Sequence, residues 1–163
     1  MRLKTTDSPS LDATDHRLIK ALQADARISN AELSRRVGLA ASAVHERVKR
    51  LFESGVVRET VAVIEPQAVG LGLTAFLEVS TDAPMKSAEI AHGLGSISEV
   101  LEVHDVAGNA CFLLRVVARD IDHLHRLLHE KIGRVPHVTG TSTTIVLKTF
   151  KDSRAVPLGT PRP

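Results

Sequence analysis

Between Ser29 and Arg50 the chain places polar side chains at spacings that suit a nucleic-acid duplex. If residues 41 to 53 are helical, Val44, Val48 and Leu51 form one apolar stripe, with Ser42, Glu46 and Lys49 opposite it and His45 on the flank. Short or polar groups in that position can approach base edges in a major groove while Arg47, Lys49 or Arg50 meets phosphate. Arg47 lies near the edge of the stripe, so bracing the helix is an equal use for it. Ser29 and Ala41, at the starts of two successive helices, complete the candidate DNA-contacting set of Ser29, Ala41, Ser42, His45, Glu46, Arg47, Lys49 and Arg50. The bland alternative is a helical hairpin with a solvated polar face.

Two other groupings invite chemistry. In Ala107-Gly108-Asn109-Ala110, glycine would let backbone N–H groups approach a small carboxylate, and Asn109 can both donate and accept; a plain hairpin turn is the competing reading. His125 and His129 stand four apart, with His123 nearby, as a helical metal pair would. No third ligand lies near them in sequence, so a solvated face is the favoured reading and no metal is expected. Phosphate-binding glycine loops, serine nucleophile elbows and paired metal ligands are absent from the sequence. Neither an enzyme nor a cofactor is expected.

The elements that must position these groups follow from local pattern. Asp12, with Asp15 three residues on, reads as the N-cap of a first helix whose buried stripe is Leu18, Ile19 and Leu22 and which ends near Ala24. Ser29 and Glu32 form a capping-box pattern opening a second helix with Leu33 and Val37 inside, and Gly38 supplies the sharp turn into the third. Gly55 ends that helix, and Val56 to Val63 reads as a strand leading away. Beyond Gly72 the apolar period falls to two: Leu73, Ala75, Leu77 and Val79 face one side. A helix over Asp82 to Gly95 follows, then strands over Val100 to Val106 and Cys111 to Ala118 joined by the Gly108 turn. A helix after Asp120 carries Ile121, Leu124, Leu128 and Ile132 inward, and the last strand runs from Thr141 to Lys148.

The fold class is therefore α+β. An N-terminal three-helix, helix-turn-helix and winged-helix-like domain (11–55) leads through a linker strand (56–71) into a ferredoxin-like βαββαβ domain (72–150). Residues 1–10 read as a flexible lead-in and 151–163, with three prolines, as a disordered tail. Cys111, Leu113 and Val117 face one side of a strand and Phe112, Leu114, Val116 and Ala118 the other. Both sides are thus largely apolar, and helices can cover only one. The expectation is a homodimer through the sheets, presenting two readers to a near-palindromic operator on double-stranded DNA.

Composition agrees with duplex binding more than with single strands. Four Phe with no Trp or Tyr leave little for base stacking. Residues 1–58 hold 11 Lys and Arg against 7 Asp and Glu, a net of +4, whereas residues 59–163 are net −2. Positive charge sits with the reader, as a phosphate-facing module requires. The lone Cys111 excludes an internal disulfide, and neither a secretory signal nor a run of about 20 apolar residues is present, so a cytoplasmic protein with no membrane partner is expected.

Taken in order, Leu11-Asp12-Ala13-Thr14-Asp15, Leu22 to Arg27, Glu32-Leu33-Ser34, Val37-Gly38-Leu39, Glu46 to Leu51 and Glu53 to Val57 resemble the N-terminal half of the Lrp/AsnC transcription regulators. Val63-Ile64-Glu65-Pro66, Gly70-Leu71, Gly108-Asn109, Thr141-Ser142-Thr143 and Val146-Leu147 extend the resemblance over residues 11 to 151. It implies a sequence-specific DNA-binding regulator whose effector, an amino acid or related small metabolite, binds between subunits. The positions carried over are Gly108, Asn109, Ala110, Cys111, Phe112, Thr141 and Thr143. It also implies dimers that commonly assemble into octamers. The chain departs from the family twice. Ala40 stands where a Ser N-cap is usual, and Cys111-Phe112 stands where an acidic residue and Tyr are frequent, which points to a more apolar effector or to none. An effector-sensing module whose helical domain is only a scaffold is the alternative. Relatives of this architecture that decarboxylate haem precursors would make His104 and Arg115 the residues of a more distant one.

Overall fold

The computed structural model describes residues 10–159, so the expected lead-in lies almost wholly outside the described residues. The chain divides into a helical unit, which includes residues up to 62 and from 151 onward, and a sheet unit over 63–150.

In the helical unit, α1 (Ala13–Ala24), α2 (Asn30–Val37) and α3 (Ala41–Glu53) enclose Leu18, Ile19, Leu33, Val37, Val44 and Leu51. Full capping-box geometry occurs at α1, where Asp12 accepts from the Asp15 N–H and the Asp15 carboxylate reaches back to the Asp12 N–H. At α2 only half of the expected box forms. Ser29 Oγ accepts from the Glu32 N–H at 3.2 Å, while the Glu32 carboxylate turns outward to Arg35 and Arg36. Gly38, at φ 74°, makes the turn that a side chain would strain, and Ala40 begins α3 with no side-chain cap.

The expected strand from Val56 to Val63 does not form; among the described residues no strand lies between α3 and Leu73. Val56 and Val57 pack on the helices, whereas Val61 and Val63 stay exposed with no strand alongside to take their backbone groups. A single 3-10 turn at Pro66–Val69 then leads to the sheet.

The sheet unit runs β1 (Leu73–Thr81), α4 (Ser87–Gly95, after a 3-10 turn at Pro84–Lys86), β2 (Val100–Asp105), β3 (Phe112–Ala118), α5 (Ile121–Arg126) and β4 (Val138–Ile145). Strand order is β2-β3-β1-β4, with every neighbouring pair antiparallel. This is the expected βαββαβ sheet, with β4 starting three residues early and ending three early. Ala75, Leu77, Val79, Phe112, Leu114, Val116 and Ala118 meet Ile90, Leu94, Leu124, Leu127 and Ile132 in one core.

The second helix corrects the expected inner face. Ile121 is 57% exposed, and Leu127, not Leu128, is fully buried. After α5 the backbone widens into a π turn over Leu127–Lys131, followed by a 3-10 turn at Ile132–Arg134. In a π turn residues five apart stack, so Leu127 and Ile132 both reach the core, which an unbroken α-helix would prevent. The opposite sheet face is mixed rather than uniformly apolar. Phe76 and Leu113 share it with Glu78 and with Arg115, whose guanidinium meets Glu102 at 2.6 Å.

Candidate nucleic-acid interface and effector site

On α3, burial of Val44 and Leu51 turns Ser42, His45, Glu46 and Lys49 outward, all exposed, as does Ala41 at its start. His45 is steadied from α2: its Nδ1 lies 3.3 Å from the Asn30 carboxamide. The Ser34 hydroxyl donates to the Leu39 carbonyl and pins the turn between the two helices. Lys49 is the loosest cation of the helix, 3.9 Å from Glu53 and more than half exposed.

Arg47 and Arg50 are placed differently from the other candidates. Arg47 donates to Asp12 at 2.7 Å and to Asp15 at 2.9 Å, and Arg50 donates to both oxygens of Asp15 at 2.9 and 3.0 Å. Asp15 is 1% exposed, so the two guanidinium groups neutralise a carboxylate that would be costly to bury alone. The Asp15 N–H and then Arg47 hold the Asp12 carboxyl below its usual range, and Asp12 followed by Asp15 raises Arg47. Sequence reasoning saw Asp12 and Asp15 only as caps. The arginines that complete the cluster are 32 and 35 positions away, a separation that local pattern does not reveal.

In the sheet unit, the candidate effector residues gather at one end of the sheet. Phe112 pairs with Val79, and Val79 with Thr141; Leu77 pairs with Thr143. Phe112 and Thr141 therefore share one row, two strand spacings or about 10 Å apart. Thr141 and Thr143 are exposed on edge strand β4, whereas the Phe112 ring is buried and its strand is paired on both sides, with Val79 and with Asp105. Gly108 and Asn109 are exposed in the loop before β3, which the Cys111 N–H ties to the Val79 carbonyl at 3.0 Å. At the same end, the buried Thr81 hydroxyl has no hydrogen-bond partner.

The histidines do not converge. His123 is held between the Arg119 N–H, at 3.1 Å from Nδ1, and Glu99, at 3.3 Å from Nε2, so it is not the solvated residue expected. His125 and His129 tilt against each other with ring centroids 4.4 Å apart. Among the described residues no cluster of three or more His, Cys, Asp or Glu is arranged to hold a metal, and no helix is long and apolar enough to cross a membrane. His104 and Arg115 both lean on Glu102. Arg115 first, and His104 after it, lowers the Glu102 carboxyl from its ordinary value.

Comparison with known proteins agrees with this architecture part by part. Residues 11–51 match the AsnC-type helix-turn-helix domain and residues 74–156 the Lrp/AsnC ligand binding domain. The HTH-type transcriptional regulator FL11 of Pyrococcus abyssi is 39% identical over 149 residues, covering 91% of this chain and 97% of that one. Among solved structures, a feast or famine regulatory protein from M. tuberculosis complexed with L-methionine superposes with a TM-score of 0.83 at 37% identity, covering 90% of this chain and 98% of that one. A transcriptional regulator from Neisseria meningitidis in complex with L-Met gives 0.83 at 31% identity, covering 90% and 96%. By fold, helix placement and these matches across both units, the chain belongs to the Lrp/AsnC family of DNA-binding transcription regulators.

Proposed function

We propose that this chain reads a near-palindromic operator as a homodimer, with Ser42, His45 and Lys49 of α3 entering the major groove. Ser29, Ala41 and Glu46 border the contact, and Arg50, 59% exposed at its side chain, reaches phosphate from its place beside Asp15. Arg47 braces the head. The observation that carries this reading is α3 itself: one side locked by Val44, Leu51 and the Asp15 cluster, the other exposed, polar and free to meet bases.

The effector is an amino acid or related small metabolite held at the end of the sheet by Gly108, Asn109, Ala110, Cys111, Thr141 and Thr143, with Phe112 in the core beneath them. Two related structures hold methionine. With Cys111-Phe112 where an acidic residue and Tyr are frequent, this end lacks a carboxylate and a phenol, which favours a more apolar effector such as methionine. Pairing of dimers into octamers would follow from the family.

The test is fluorescence anisotropy of labelled fragments from upstream of the chain's own gene, with and without a panel of amino acids. Upstream fragments are expected to bind more tightly than random duplexes of equal length, and at least one apolar amino acid to change that affinity. Equal affinity for both kinds of duplex would defeat the DNA assignment. A flat response to every amino acid would defeat the effector assignment.

A further inference from the structure

Residues 151–159 form neither helix nor strand, yet they are not a free tail. The Val156 N–H donates to Gln23 Oε1 at 2.7 Å, and the Val156 carbonyl accepts from Gln23 Nε2 at 3.2 Å. One carboxamide thus satisfies both backbone groups of Val156, as a neighbouring strand would. Two residues on, Leu158 packs half-buried against the apolar cluster of the three helices.

Both ends of this contact lead to functional groups. Gln23 belongs to α1, the helix whose Asp12 and Asp15 hold Arg47 and Arg50 of α3. In the other direction, the chain runs back through residues 146–155 to β4, which carries Thr141 and Thr143. The reading helix is therefore joined to the effector strand by a second path, along the chain to Val156 and through its hydrogen bonds to Gln23, besides the covalent segment between α3 and β1.

We propose that residues 155–158 act as a strap: the chain that leaves β4 is clipped onto α1 within the helical unit, so that a second tether, besides the segment between α3 and β1, joins each DNA-reading head to its sheet. One amide pair and one leucine make a weak clip, but tethering keeps its local concentration in about the millimolar range, so it closes reversibly. Residues next to the effector strand thereby limit how two heads can be spaced. The clip itself stands on the contacts above, while its consequence for spacing rests on the proposed dimer and operator.

Full-length Gln23→Ala and Leu158→Asp variants separate the two. By amide hydrogen exchange, Val156 in the natural chain is expected to exchange at least tenfold more slowly than in Gln23→Ala. Equal rates would overturn the clip. On duplexes carrying two half-sites at native spacing or with half a turn, about 5 base pairs, inserted, the natural chain should prefer native spacing by tenfold or more. Both variants should narrow that preference to threefold or less while binding a single half-site unchanged. A preference that survives both substitutions would overturn the strap's role. If the natural chain bound no duplex at all, the DNA reading would fail, and the exchange rates would still decide the clip.

Discussion

Arg47 and Lys49 are two residues apart and carry the same charge, yet their surroundings assign them different work. Arg47 is spent on Asp12 and Asp15, while Lys49 touches only Glu53, at 3.9 Å. Lys49→Ala should therefore lower the slope of log affinity against log salt by about one unit, the release of about one counterion, and leave stability within about 0.5 kcal/mol. Arg47→Met should do the reverse. It leaves Asp15 with Arg50 alone, costing about 1–3 kcal/mol in urea unfolding, with the salt slope unchanged. Matching slopes for the two variants would mean that Arg47 reaches DNA. Sequence left Arg47 undecided between brace and contact because its helical angle is all that local spacing reveals. What the fold adds is its partner, a carboxylate on another helix.

Glu99 shows the same dependence on distant partners. Lys131, at 2.6 Å, is the main cause that takes its carboxyl from an ordinary 4.5 to about 2. A carboxyl held low stabilises the fold while ionised, so its contribution is complete above about pH 4.5 and disappears as pH falls towards about 2. Lys131→Met should cost most stability near pH 7, where the pair's contribution is complete, and less at pH 3, and should move the acid-unfolding midpoint, followed by circular dichroism, upward. An unmoved midpoint would show that the pair contributes nothing to acid resistance.

At the scale of elements, the three helices of the helical unit and the four strands of the sheet were legible because each obeys one period, 3.6 or 2, between clear stop signals. The misreadings occur where the period itself changes. Ile121, Leu124, Leu128 and Ile132 make a plausible α-helical stripe, but Leu127 is buried one turn after Leu124, the π turn then brings Ile132 to the core, and Ile121 sits exposed at the start of α5. Leu127→Ala should consequently cost about 2–5 kcal/mol, and Ile121→Ala no more than about 0.5 kcal/mol, in denaturant unfolding. Similar losses for both would restore Ile121 to the inner face. Residues 56–63 have the composition of a strand and fail for another reason: β pairing needs a neighbour, which a one-chain pattern cannot supply. Of the candidate effector residues, the Gly108-Asn109 turn drew attention by its own chemistry, and the others were legible only through resemblance. Nothing in their spacing reveals that Thr141 and Phe112 flank Val79 in one row, because the strands that align them are distant in sequence.

For the whole molecule, the decisive surface is the sheet face that the helices leave uncovered. Phe76, 38% exposed, stands on it beside Leu113, with the Arg115–Glu102 pair and Glu78 around them. An aromatic side chain ringed by polar groups is the composition of an interface centre with a polar rim, and a twofold axis would set Phe76 against its own copy's surface. Phe76→Asp would bring carboxylates together at the centre of such an interface and lose the aromatic burial that holds it. By light scattering the natural chain should be dimeric or larger, and Phe76→Asp should shift it towards monomer at micromolar concentration, with the melting of each unit little altered because Phe76 lies outside the core. The same variant should lose affinity for a two-half-site duplex by far more than for a single half-site, since one head can bind without its twin but cannot recruit it. A natural chain that is already monomeric, or a Phe76→Asp variant that remains dimeric and reads both half-sites normally, would move the interface away from this face and leave its exposed phenylalanine without a role.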